Sequence, residues 1–155
     1  MEIWNTPPEC EIVNTRVFDA PRTLVYRAWT EPDHLKNWWG PIGFTNTFNT
    51  FDLQVGGKWS FVMHGPEKGN YRNECTFIAI REPELLAWDR QSQPIFQVEV
   101  NFEEVSANET NVVFRQKFKT IEECEKIRMY TVGKNDENFD KLEAELEKMK
   151  QLYAL

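Results

Sequence analysis

The 155-residue sequence predicts an α+β fold in which a curved antiparallel sheet of about seven strands wraps around a long C-terminal helix. Three observations carry this expectation. The segment IFQVEVNFEEV alternates cleanly, with Phe96, Val98, Val100 and Phe102 on one side and Gln97, Glu99, Asn101 and Glu103 on the other, the mark of an antiparallel strand with one buried face. The stretch from 44 to 118 is cut by turn residues at hairpin spacing: Gly56 with Gly57, the run PEKGN, and the run SANETN. After Gly133, Phe139, Leu142, Leu146, Met149 and Tyr153 fall along one helical stripe with Glu and Lys around it. A helix with such a stripe must bury it, and the sheet is the partner the chain offers.

The elements follow in order. Residues 11–19 carry Ile12, Val13, Val17 and Phe18 in a loose alternation and are predicted as a first strand. The next segment, DAPRTLVYRAWT, has Asp19 as an expected N-cap, Pro21 in the first turn, and Leu24, Val25, Ala28 and Trp29 at helical spacing. A second short helix starts at Pro32, presents Leu35, Trp38 and Trp39 at i, i+3 and i+4, and ends at Gly40 and Pro41, because Pro41 lacks a donor and restricts the residue before it. Six strands follow. Among them KWSFVMHG sets Trp59, Phe61 and Met63 against Ser60, Val62 and His64. Gly56 and Gly57 lack the Lys-Ser/Thr and the following helix of a phosphate loop and are expected to mark a bend between curved strands. Thr120 and Glu123 form a capping-box pair at the start of a further helix before the long one.

Composition narrows the possibilities. The length suits one domain, residues 1–155, with its core over about 11–150. No apolar run approaches the roughly 20 residues needed to span a bilayer, so no membrane insertion is expected. The N-terminal MEIWNTPPECEIV has neither a basic nor a continuous apolar region of signal-peptide type, and cytoplasmic residence is the expectation. A net charge of -7 argues against a nucleic-acid partner. Cys10, Cys75 and Cys124 are odd in number and widely spaced, which predicts free, buried thiols.

Three runs then carry a family resemblance: VFDAPRTLVYRAWTEPDHLKNWWGP, FDLQVGGKWSFVMHGPEKGN and EPELLAWD. Together they resemble the heat-shock-protein-90 ATPase activator homologues of the START-like, or SRPBCC, helix-grip superfamily, which share the Bet v allergen-like fold. The resemblance spans about 11–150. It implies a hydrophobic cavity between sheet and long helix, used by members for lipids, hormones or polyketides, and it implies no common reaction. A chaperone-like protein partner is the alternative that the family name implies, and a polyketide-cyclase-like enzyme is a third.

The residues themselves show little chemistry. No nucleophile–base order stands out, so no catalytic residue is assigned and enzyme activity is not expected. No metal cage or cofactor motif is present in the sequence. His34 is expected to be solvated on a surface helix, and His64 to be a hydrogen-bonded turn residue facing away from the aromatic side of its strand, with a general-base role as the alternative. Glu122, Glu123, Glu125, Glu143, Glu145 and Glu147 are expected to form a solvated face. Aromatics make up 14% of the chain, and that surplus is the functional clue. Trp38, Trp39, Phe48, Phe61, Met63, Phe77, Trp88, Phe96, Phe114, Phe139 and Met149 are the predicted lining of a cavity for a hydrophobic or amphipathic small molecule, against the alternative that they simply fill the core. Either Trp38 or Trp39 closes the core, and the other faces the neighbouring loop.

Overall fold

Seven hydrogen-bonded strands form one antiparallel sheet in the order β1-β7-β6-β5-β4-β3-β2. The structure is a computed structural model, and it describes residues 2–153. The chain begins with β1 (Glu11–Phe18), passes through α1 (Arg22–Thr30) and α2 (Pro32–Trp38), and then lays down β2 (Thr45–Phe51), β3 (Lys58–His64), β4 (Asn70–Arg81), β5 (Leu85–Arg90), β6 (Phe96–Ser106) and β7 (Glu109–Lys117). Two helices close it: α3 (Ile121–Thr131) and α4 (Lys134–Leu152). Strands β2 to β7 are sequential neighbours, as short hairpin turns require. The first strand returns to pair with the last, Glu11 opposite Lys117 and Phe18 opposite Thr110, and so takes the far edge of the sheet from β2. Among the described residues no helix is long and apolar enough to cross a membrane.

The sheet's inner face carries the core. On β6 the predicted alternation holds, with Val98, Val100 and Phe102 buried against the helices. The outer face is less open than the alternation implies. Gln97 is fully buried because the N-terminal segment crosses over it: its side chain accepts from Trp4 N–H at 2.7 Å and donates to Glu2 O at 3.0 Å. Lys117 Nζ donates to Trp4 O at 2.7 Å and pairs with Glu99 at 2.6 Å, so this strap is pinned to β6 and β7 together.

The helices depart from expectation at one terminus, the start of α1. Pro21, rather than Asp19, takes the N-cap of α1, and no side chain caps it. Asp19 instead meets the other end of the fold, where Lys150 donates to its carbonyl at 2.7 Å. At α3 the predicted cap is present: Glu123 N–H donates to Thr120 Oγ1 at 3.1 Å. Between α3 and α4 the chain turns at Gly133, whose φ of 78° lies in the left-handed region that a β-carbon disfavours. Along α4, Phe139, Leu142, Leu146 and Met149 are all buried. All three cysteines are free and buried.

Candidate ligand cavity

The second helix ends in WWGP, and the two indoles divide the work. Trp38 is fully buried, donates from its indole nitrogen to Ala28 O at 3.0 Å, and packs edge-on against Trp29 with ring centroids 4.7 Å apart. It plugs α2 onto α1. Trp39 is half-buried and turns the other way, meeting Trp59 and Trp88 at 5.4 and 5.8 Å. The turn that follows needs its glycine: Gly40 has φ +96°, and a β-carbon there would lie 2.7 Å from Met63 Cε. Lys141 of α4 holds the loop in place by donating to the carbonyls of Gly40, Pro41 and Phe44 at 3.2 to 3.3 Å.

Beyond Trp39 lies a cavity of about 480 Å³. Its floor is the inner face of β3 to β7, presenting Phe61, Met63, Trp88, Phe96 and Phe114. Its roof is the corner of α3 and α4, with Ile127, Tyr130, Thr131 and Lys134. Six predicted lining residues therefore border it, Trp39 being the sixth.

The other five do not line it. Trp38 is the core plug just described. Phe48 lies toward the β2 edge, stacked on Phe51 and packed against Trp59. Phe77 is buried beneath Phe51, Trp59 and Trp88. Phe139 packs edge-on to Phe18 at 5.4 Å. Met149 comes eleven residues after Asn138, the last α4 residue on the cavity wall, about 16 Å along the helix at 1.5 Å per residue. The cavity sits under the first turns of α4, and the rest of the stripe closes solid core.

Five polar residues on the wall were missed from sequence: Asn73, Arg90, Gln116, Asn135 and Asn138. A signal for three of them was available in strand parity. Asn73 shares its side of β4 with Cys75, Arg90 its side of β5 with Trp88, and Gln116 its side of β7 with Phe114, so each is a polar residue at an inward position. Asn73 and Gln116 are buried. Arg90 donates to the carbonyls of Pro94 and Gln93 at 2.9 and 3.0 Å and hydrogen-bonds Asn73, holding the β5–β6 loop closed beside the cavity. Burial lowers the Arg90 pKa, since removing water disfavours the guanidinium charge. Burial also pushes the Cys75 thiol up to about 12, with the nearby Arg90 charge pulling only partly against it.

The two histidines divide unlike expectation. His64 faces away from the cavity, with Thr47 Oγ1 and Asn70 Oδ1 each 2.7 Å from its ring nitrogens. His34 is not solvated. It is buried, its Nδ1 2.8 Å from Glu145 Oε2 and its Nε2 2.8 Å from the Tyr153 hydroxyl. Glu145, expected on the solvated face, is only 5% exposed, and Asn37 also donates to it at 3.2 Å. A carboxylate only accepts, so His34 Nδ1 carries the hydrogen of that bond. This network ties the end of α4 to α2 and lies apart from the cavity. Among the described residues no group of three or more His, Cys, Asp or Glu could hold a metal ion.

A curved antiparallel sheet closed by a C-terminal helix, with an aromatic cavity at that helix's first turns, defines the START-like helix-grip class. The chain belongs to the family described as Activator of Hsp90 ATPase homolog 1-like protein, whose model matches residues 19–147. Similar solved structures include protein NE0264 from Nitrosomonas europaea, with 22% identity, a TM-score of 0.85, and 94% of this chain and 99% of that one covered. A protein from Arthrobacter aurescens is 25% identical, with a TM-score of 0.83 over 90% of this chain and 87% of that one. Protein Ms6760 from Mycobacterium smegmatis is 19% identical, with a TM-score of 0.81 over 96% and 98%. No curated protein matches the chain.

Proposed function

We propose that this protein binds a hydrophobic or amphipathic small molecule, of lipid, polyketide or aromatic-metabolite type, in the cavity between its sheet and the α3–α4 corner. The observation that carries the proposal is the cavity itself. At about 480 Å³ it falls within the range of small-molecule pockets, roughly 300 to 1,000 Å³, and its floor is aromatic with a few polar groups around it. Trp39, Phe61, Met63, Trp88, Phe96 and Phe114 are the proposed contacts. We take residues 1–155 as one domain, working in the cytoplasm. Native mass spectrometry of protein purified from its own host should reveal a bound small molecule. A solvatochromic dye should bind saturably at one site, with an affinity near the micromolar range, about -8 kcal/mol. Val98 also borders the cavity from β6, and Val98→Phe, which projects a larger ring from the floor, should weaken that binding. Dye binding that never saturates, or that is indifferent to Val98→Phe, removes the proposal.

A protein-interaction role of the co-chaperone kind is the second reading. One observation favours it: Met129, Tyr130 and Val132 form an apolar ridge at the end of α3, each more than 70% exposed. Partner capture that survives Val98→Phe but is lost on Met129→Asp, a ridge position off the cavity wall, would support it over ligand binding.

A further inference from the structure

The chain has 25 acidic residues and a net charge of -7, yet among the described residues no aspartate or glutamate lines the cavity. The charged lining groups among the described residues are cations, Arg90 in the wall and Lys134 at the α4 end. Lys134 has a carboxylate neighbour, Glu137, at 4.0 Å. Arg90 makes no ion pair among the described residues: its guanidinium is held by two backbone carbonyls and the Asn73 amide, all neutral acceptors, and lies 5.6 Å from the centroid of the Phe96 ring. A charge partly withdrawn from water is ordinarily matched by an opposite one. Here three of its five N–H groups are used, and its charge remains unneutralised beside an apolar space.

Two amides on the cavity wall, Asn138 of α4 and Gln116 of β7, point the same way. Asn138 Oδ1 accepts from Gly40 N–H at 3.0 Å. A backbone N–H can only donate, so this bond fixes the orientation of the amide and leaves Nδ2 without a protein acceptor. Gln116 Oε1 accepts from Asn135 Nδ2 at 3.1 Å, which leaves its own Nε2 likewise without an acceptor among the described residues. Both side chains belong to residues more than nine-tenths buried, and both border the cavity. Each of these two groups therefore keeps an amide NH2 free to donate.

We propose that the cavity takes an amphipathic carboxylate, its apolar body on the aromatic floor, its anionic head drawn to Arg90, and the amide donors of Gln116 and Asn138 open to its other oxygen atoms. This rests on the small-molecule function proposed above and narrows it to a class. A neutral lipid would leave the guanidinium unmatched, and a cationic amphiphile would be repelled by it. A charge-assisted hydrogen bond in such a setting is worth more than a neutral one.

Calorimetric titration with dodecanoate, dodecan-1-ol and dodecylammonium separates the cases, because the three share one apolar chain. Dodecanoate should bind at least about ten-fold tighter than the alcohol, the factor that one charge-assisted bond supplies, and dodecylammonium should bind weakest. The acid-to-alcohol ratio should fall to near one in Asn138→Asp. That change keeps an acceptor for Gly40 N–H and replaces the free donor with an oxyanion, so the loop contact survives. Arg90→Gln should lower the same ratio, with its melting temperature recorded because Arg90 also ties down the β5–β6 loop. Equal affinity for acid and alcohol in the unaltered protein, or tightest binding of the ammonium, overturns the carboxylate inference and leaves the small-molecule function standing. Failure of all three probes to bind overturns the carboxylate inference, and overturns the small-molecule function as well if the dye also fails to saturate.

Discussion

His34 and Glu145 are 111 residues apart, and neither declares itself from its own neighbourhood in the sequence. A charged residue three positions after Leu142 on an amphipathic helix reads as the edge of the polar face, and a histidine early in a short helix reads as solvated. What reverses both is a contact between elements, because each supplies the partner that makes burial of the other tolerable. Tyr153 completes the set, its hydroxyl on His34 and its ring beneath Arg27, whose guanidinium carbon is 4.0 Å from the centroid. Removing 152–155 therefore strips Tyr153 from this network and is not a neutral trim. Glu145→Ala should destabilise the protein by about 2 to 3 kcal/mol in urea titration, since it leaves the buried His34 ring N–H without its acceptor and removes one of the two acceptors of the Asn37 amide. Glu145→Gln, which retains an acceptor oxygen, should cost less. Equal stability of Glu145→Ala and the unaltered protein would return Glu145 to the solvated face.

Periodicity makes elements more legible than pairs. The β6 alternation and the α4 stripe were readable because each is a local repeat, of two or of 3.6 residues, with enough members to define a face. The turn at Gly133 and the cap at Thr120 were readable because single residue types dominate such positions. The cavity's position was not, since it depends on how far along α4 the sheet's curvature leaves a gap. Phe139 and Met149 share their stripe with Leu142 and Leu146, yet only the first turns of the helix, through Lys134, Asn135 and Asn138, border the space. The remainder of α4 is core, and its side chains should behave as core. Leu146, 2% exposed, should cost about 2 to 5 kcal/mol when changed to alanine, the range for a buried leucine whose site collapses only partly. Because Leu146 lies off the cavity wall, the dye affinity of the folded fraction should stay within about two-fold, a shift below 0.5 kcal/mol. A large loss of affinity at unchanged stability would place the cavity further along the helix.

At the scale of the molecule, one sheet is covered on both sides by quite different means. The inner face meets the helices through aromatic and aliphatic packing, whereas part of the outer face is held by polar contacts to the strap that runs through Trp4. The α+β class and the seven-strand count could be read from alternation and turn residues. The strap could not, because its anchors, Gln97, Glu99 and Lys117, look like ordinary solvent-facing positions of a half-buried strand. The Glu99–Lys117 pair at 2.6 Å is the charged part of this cover, with Glu11 3.9 Å from the same ammonium. For Glu99, burial raises the pKa, but hydrogen bonds from Lys117 and Asn101 and the Lys117 charge together outweigh it, and the net shift is downward. A carboxyl depressed on folding contributes stability that is fully present above its unfolded pKa, about 4.3 for glutamate, and is lost as pH falls through the lower folded value. Glu99→Gln should accordingly lower stability near neutral pH by about 1 to 3 kcal/mol, the size of a hydrogen bond to a charged group. The gap between variant and parent should then close as pH falls below about 4. Melting temperatures of both proteins across that range decide the matter. A gap that stays constant into acid would mean that Glu99 acts through shape alone, and that the strap is held by Gln97 and the backbone of residues 2–4.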